Sequence, residues 1–388
     1  MRFEPQKRTH SLSRFYRDCR DLQSIIGQER PIRLLTRMLQ KGSIPHALLF
    51  TGVDGIGKQT TAVALGMALN CLSPVGVSAC EECPSCQKVI SGSHPDMITV
   101  KPEGAFIKIN QVRALSRQLR FAPFEGRWRI VIINDAQAMN LEASNAILKM
   151  LEEPPKGTVI ILTATQTMDL LPTIVSRCQQ IAFRPIPYER VAEVLLELKG
   201  IDKQTATTLA VSTKGSLGKA LSVDEEKWTI WRTRLLEQIA SLSIRLIEDS
   251  CGKTSASSVE PLQGIFDRKE VGHFKIRSLT PQQAAGNALA FAVQPIFAFA
   301  ETLARDKERL VDALDMIMTW FRDLLMCKVS PGRIINKDFI TKIEHASQGR
   351  SVDDLLKKVG AVHAAQVAIL RNSNPRLALE VMIMRLCS

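Results

Sequence analysis

Gly52-Val53-Asp54-Gly55-Ile56-Gly57-Lys58-Gln59 is the stretch that decides the fold. It follows the phosphate-binding pattern G-x-x-x-x-G-K-[ST] up to its last position, where Gln59 stands in place of the hydroxyl that holds Mg²⁺. Ala47-Leu48-Leu49-Phe50 before it reads as a short buried strand, and Thr60 to Asn70 after it reads as an apolar helix. That is the strand–loop–helix the motif requires. Gly52, Gly55 and Gly57 let backbone N–H groups curl around an anion at a helix N-terminus, with Lys58 in reach of the outer phosphates. The alternative, a tight turn with an accidental lysine, fits poorly with that context.

Further along the chain, Met97–Val100, Ile130–Ile133, Val159–Leu162 and Gln180–Phe183 are apolar runs of strand length. Helical patterns at Gln111–Leu119 and Glu142–Glu152 separate some of them, and such alternation predicts a parallel sheet covered on both faces. Ile132-Ile133-Asn134-Asp135-Ala136 takes the place of the second nucleoside-triphosphatase motif, in which acids at a strand end organise Mg²⁺ and water. Its first acid is Asn134, a neutral amide that cannot supply carboxylate charge to a metal, while Asp135 can still orient a water.

Four of the nine cysteines, Cys71, Cys80, Cys83 and Cys86, are spaced C-x8-C-x2-C-x2-C. Thiolates two residues apart suit one tetrahedral Zn²⁺ on a tight turn, and Pro84 helps to bend the chain there. Zinc is preferred to disulfides in a reducing compartment, and an iron–sulfur cluster is the weaker alternative because nothing else suggests electron transfer. Four thiolates leave no open coordination position, so the expected role is structural. Cys19, Cys178, Cys251, Cys327 and Cys387 are scattered and read as packing residues.

The 388 residues are enough for two or three domains, and 45% hydrophobic with 23% charged residues is ordinary for a soluble protein. Ala288–Ala300, the longest apolar stretch, is interrupted by Gln294 and Pro295 and is too short to span a membrane. Met1–Arg20 is polar and basic, without the apolar region of a signal peptide, so the expected location is the cytoplasm. A formal net charge of +12 is compatible with a polyanion such as DNA or with an ordinary solvated surface. Two tyrosines leave little for base stacking, so any nucleic-acid contact is expected at phosphates.

Ile26-Gly27-Gln28, Ile44-Pro45-His46-Ala47-Leu48-Leu49-Phe50, the glycine loop and the cysteine module resemble the clamp-loader ATPases of bacterial DNA polymerase III, a AAA+ branch. Asn145–Pro155 and Leu171–Cys178, which ends in Ser176-Arg177-Cys178, carry the same resemblance, over roughly residues 22 to 222. In that family the arginine of the triplet is a finger inserted into the neighbouring subunit's nucleotide site, which here implies Arg177. Two types in the family share the cysteine module, the ATP-hydrolysing gamma/tau subunit and the delta-prime subunit. Gln59, Asn134 and Gly218, the last standing where the hydrolysing type has its sensor arginine, make this chain resemble the delta-prime type.

The resemblance implies a non-catalytic component of the polymerase III holoenzyme, with gamma/tau and delta subunits as partners. Sliding clamp and primed DNA would be met through the complex, and ATP would be held weakly or not at all. An active gamma/tau-type ATPase that uses Thr60 in place of the missing hydroxyl is the main alternative, and a zinc-dependent DNA-binding adaptor is a third. The implied fold class is α/β followed by all-α. A basic extension at 1–21 precedes a AAA+ P-loop domain at 22–184 with the zinc module at 71–86, a helical lid at 185–224 and a helical collar at 225–388. Helical spacing marks Tyr188–Lys199 and Lys203–Ser212 in the lid. It also marks Trp228–Glu248, Gln282–Asp306, Leu310–Cys327, Ser351–Leu370 and Arg376–Cys387 in the collar, with an aperiodic insertion at about 253–280.

Overall fold

The computed structural model describes residues 21–250, 299–306, 309–370 and 373–387. They divide into two compact units, one ending at Val223 and the other beginning at Asp224. The N-terminal extension, the 253–280 insertion and most of the expected helix Gln282–Asp306 lie outside the described residues.

The first unit is built on five parallel strands, β1 (Ala47–Thr51), β2 (Met97–Val100), β3 (Arg129–Ile133), β4 (Thr158–Ala164) and β5 (Gln179–Ala182), in the order β2-β3-β4-β1-β5. Along β1, β3 and β4 every residue but Thr51 is buried, as expected when both faces of a sheet are covered. The period of two sorts them into two cores. Leu49, Val131, Ile133, Ile160 and Leu162 pack with helices Ile109–Gln118 and Leu141–Glu152. Leu48, Phe50, Ile130, Ile132 and Ile161 pack on the other face with helices Glu29–Gln40 and Lys58–Asn70. This is the expected α/β P-loop architecture, and the first turn of the loop helix starts at Lys58, two residues before the expected Thr60.

An ion pair of distant residues secures the N-terminal end of β3. Asp96, fully buried, accepts N–H bonds from Phe124, Glu125 and Gly126 at 2.7, 2.9 and 2.8 Å and meets Arg129 Nη2 at 3.0 Å. Arg129 also donates to the carbonyls of Gln118, Phe121 and Ala122 at 2.8–2.9 Å, so the loop at 118–126 is fixed from both sides. Burial alone would raise the Asp96 pKa. The three amides and the guanidinium outweigh it, and the carboxyl titrates below its usual range.

Helices Tyr188–Lys199, Lys203–Ser212 and Leu217–Ser222 complete the first unit. Only the first two show in the spacing, because a six-residue helix carries too little periodicity to read. The described residues of the second unit form helices Glu225–Ser250, Leu310–Val329, Ile340–Ser347, Val352–Leu370 and Pro375–Cys387 around a core that fully buries Trp320. Residues 299–305 are helical too. Ile340–Ser347 is a further short helix that the spacing does not announce. Inside this unit Arg232 forms a fork-to-fork pair with Asp338 at 2.6 and 2.9 Å, and Asp323 accepts from the amides of Ile335 and Asn336. No helix among the described residues is long and apolar enough to cross a membrane.

Candidate functional site

The glycine loop leaves β1 and enters its helix through two left-handed residues, Gly55 (φ 76°) and Gly57 (φ 101°), conformations that a side chain would strain. Lys58 is buried, and its Nζ is turned onto the loop itself. It donates to the carbonyl of Gly52, to that of Val53 at 3.1 Å and to Asp54 Oδ1 at 3.3 Å. Burial lowers the Lys58 pKa, while Asp54 and, more weakly, Asp135 act in the opposite direction. Asp135 therefore lies within electrostatic reach of the loop lysine. It sits at the end of β3 with φ 53°, and its N–H donates to Thr163 Oγ1 at 3.1 Å.

The motif's metal-binding positions hold amides. Gln59 is exposed on the first helical turn. Asn134 is buried, and its Oδ1 finds no hydrogen-bond partner in the protein. Thr60 lies one residue, about 100°, further around the helix than Gln59. The threonine that turns back to the loop is Thr61, whose Oγ1 donates to the Gly57 carbonyl at 2.7 Å. Neither metal-binding position of the motif therefore carries the hydroxyl or the carboxylate that would hold Mg²⁺.

Gly218 is in contact with the loop. Its N–H donates to the Gly55 carbonyl at 2.8 Å, and Ser216 Oγ donates to the Asp54 carbonyl at 2.6 Å. A Cβ at position 218 would lie 2.8 Å from Gly55 O and 3.1 Å from Gly55 Cα, closer than side chains normally approach. The helix Leu217–Ser222 is thus latched on the phosphate loop by its N-terminal turn, and the glycine is what lets it come so near. Gln28 ties a third segment to the same place. Buried, it donates to the carbonyls of Arg184 at 2.8 Å and Ile56 at 3.3 Å, and its Oε1 accepts from Arg184 N–H. Nothing in the local pattern of Ile26-Gly27-Gln28 identifies that role, because its partners lie at least 28 positions away.

Arg177 follows the short helix Pro172–Val175 and is partly exposed. Its Nη2 pairs with Glu152 Oε1 at 2.7 Å, and its Nη1 donates to the Thr173 carbonyl at 3.0 Å.

Cys71, Cys80, Cys83 and Cys86 come together with all Sγ atoms within 4.8 Å of one another. Zn–S bonds of about 2.3 Å place tetrahedral sulfurs about 3.8 Å apart, so a contraction of about 1 Å closes the site around Zn²⁺. The backbone holds the sulfurs there. Cys71, Cys80 and Cys83 Sγ accept from the amides of Cys80, Cys83 and Cys86 at 3.2, 3.3 and 3.4 Å. Pro84 does more than bend the chain, since it opens the helix Pro84–Ser91 with Cys83 as its N-cap. Burial pushes up the thiols of Cys71 and Cys86. At Cys83 burial acts the same way but is outweighed by donors, first the Cys86 and Leu72 amides, and the pKa falls to about 6. Among the described residues this is the cluster with metal-ligand character. Next to it, Ser85 is bonded to the buried His94 at 3.1 Å, and His94 Nδ1 accepts from the Asp96 amide, which connects the cysteine helix to β2.

Two family models describe the chain. The model for "DNA polymerase III, delta subunit" matches residues 27–187, and that for "DNA polymerase III, delta subunit, C terminal" matches residues 272–387, together more than half of the sequence. The chain is 26% identical over 360 residues to the DNA polymerase III subunit delta' of Bacillus subtilis, covering 92% of this chain and 96% of that protein. With the delta' subunit of Pseudomonas aeruginosa the identity is 43% over 145 residues, 37% of this chain and 44% of that one. It is also 26% identical to the Bacillus subtilis tau subunit over 97% of its own length, but spans only 63% of that longer protein. On these matches the chain belongs to the DNA polymerase III clamp-loader family that comprises the delta-prime and gamma/tau subunits.

Proposed function

We propose that this component of the DNA polymerase III complex is a non-hydrolysing clamp-loader subunit of the delta-prime type. It stands in a ring with gamma/tau and delta subunits in the cytoplasm and supports ATP-dependent loading of the sliding clamp onto primed DNA. The observation that carries this reading is the latch at Gly218, which packs on the phosphate loop at the position where the resemblance implies a sensor arginine in the hydrolysing type. Phosphoryl transfer requires positioned Mg²⁺ and fixed positive charge, and Gln59, Asn134 and Gly218 remove a contribution to each. Gly52, Gly55, Gly57 and Lys58 then serve as structural relics of a nucleotide site, and Zn²⁺ on the four cysteines as a structural brace. The lid at 185–224 and the collar at 225–388 are proposed as separate working parts of the ring subunit.

Arg177 supplies the chemistry this chain lends to its neighbour. An arginine offered in trans stabilises charge that develops on a transferring phosphoryl group and is worth about 10³ to 10⁵ in rate where it is the main source of that stabilisation. Its exposure supports this reading, because a guanidinium at the surface is accessible to a phosphate held by another subunit. Two measurements test the proposal. The purified chain should turn over ATP at less than about 0.1 per second, below the typical kinase range, with no change in Lys58→Ala. Faster turnover that disappears in Lys58→Ala overturns the non-hydrolysing reading. In a reconstituted loader, Arg177→Ala should leave assembly intact and lower DNA-stimulated hydrolysis, and unchanged hydrolysis in an intact complex refutes the finger.

A further inference from the structure

The guanidinium of Arg177 is held by Glu152 Oε1 at 2.7 Å, by the Thr173 carbonyl at 3.0 Å and, more loosely, by Ser176 Oγ at 3.4 Å. Glu152 is the last residue of the helix Leu141–Glu152. The backbone dipole puts partial negative charge at that end, where a carboxylate is disfavoured. Helix stability therefore does not explain a glutamate there. The same end already has its Leu151 carbonyl bonded by His46 Nε2–H at 3.1 Å, and Pro154 and Pro155 prevent the helix from continuing. The exposed Glu153 next to it does not pair with Arg177, so the pairing is particular to one of two adjacent glutamates.

We propose that Glu152 is a positioning residue for Arg177, fixing the orientation in which the guanidinium is presented to the neighbouring subunit's nucleotide. The inference rests on the reading of Arg177 as a finger acting in trans. An unanchored arginine samples many rotamers, and ordering it against a phosphate takes free energy from the catalytic step. These contacts engage both terminal nitrogens of the planar fork and remove much of that freedom. With side-chain exposures of 36% and 49%, the paired guanidinium stays accessible to a phosphate from outside.

The test uses the assembled loader carrying Glu152→Ala, Glu152→Gln, Arg177→Ala or the double alanine variant, with DNA-stimulated ATP turnover as the readout. Glu152→Ala is expected to lower kcat about two- to fivefold, the range of an exposed ion pair, with KM for ATP unchanged. Glu152→Gln retains a hydrogen-bond acceptor and should lose less. On the Arg177→Ala background, Glu152→Ala should have no further effect, because a residue that works only through Arg177 has nothing left to position. An unchanged or raised kcat in Glu152→Ala beside a reduced Arg177→Ala overturns the inference and leaves the finger standing. A loss of the same size on both backgrounds overturns it too, since that marks a structural role. If Arg177→Ala is itself silent, the underlying reading fails and the inference with it.

Discussion

Replacing Gly218 by alanine puts two opposing effects in one residue. Gly218 lies in a helix, so alanine should stabilise by about 1 kcal/mol through backbone entropy alone. Against this, the new Cβ would lie 2.8 Å from the Gly55 carbonyl oxygen and 3.1 Å from its Cα, both of them backbone atoms that cannot rotate away. Overpacking of that kind costs about 1–3 kcal/mol, and a shift that breaks the 2.8 Å Gly218 N–H bond to Gly55 costs about 0.5–1.5 kcal/mol more. The net expectation is a loss of about 0.5–3.5 kcal/mol, localised at the latch. Gly360 provides the control. It lies in the helix Val352–Leu370, and a Cβ there meets nothing within 4 Å, so Gly360→Ala should gain about 1 kcal/mol. Amide hydrogen exchange is the suitable assay because it reports each unit separately. Gly218→Ala should accelerate exchange in peptides that cover 52–57 and 214–222 while leaving the second unit unchanged. A Gly218→Ala protein that is protected as well as wild type, or better, refutes the latch.

Two more outcomes can be checked directly. Elemental analysis should find one Zn²⁺ per chain, and Cys83→Ser should lose it and loosen residues 71–91 while the sheet stays folded; full metal content in that variant refutes the four-thiolate site. Asp96→Asn strands the buried charge of Arg129 and should destabilise the first unit by about 3–5 kcal/mol in denaturant titrations followed at Trp128. The pH dependence has a definite sign. Because the folded-state pKa of Asp96 is depressed, its contribution is complete above the unfolded value of about 3.9 and is lost as pH falls through the folded value. The wild type should therefore lose stability below about pH 4 more steeply than Asp96→Asn, and parallel acid profiles refute the assignment.

Much of the candidate site is legible in the sequence alone, and the reason is spacing. The loop Gly52–Gln59, the run of strands and the four cysteines are each local patterns in which residues a few positions apart must cooperate, so chain order carries the information. The amides at 59 and 134 were readable for the same reason, because each occupies a numbered place in a motif. The contacts that turn those parts into one closed site are of a different kind. Ser216 reaches Asp54 across 162 positions, Gln28 reaches Arg184 across 156, and Arg129 reaches Asp96 across 33. In the sequence these are an ordinary serine, glutamine, arginine and aspartate, since nothing local distinguishes a polar side chain that will be buried against a distant carbonyl from one that will face water. Gly218 makes the difference plainest. The resemblance implies that glycine takes an arginine's place, and only the packed structure shows that the glycine's missing Cβ is what allows the turn at 216–218 to rest on the phosphate loop. Close packing decides such questions because side-chain volume is felt only where two backbones approach, and that approach is set by the sheet order and helix docking of the whole unit.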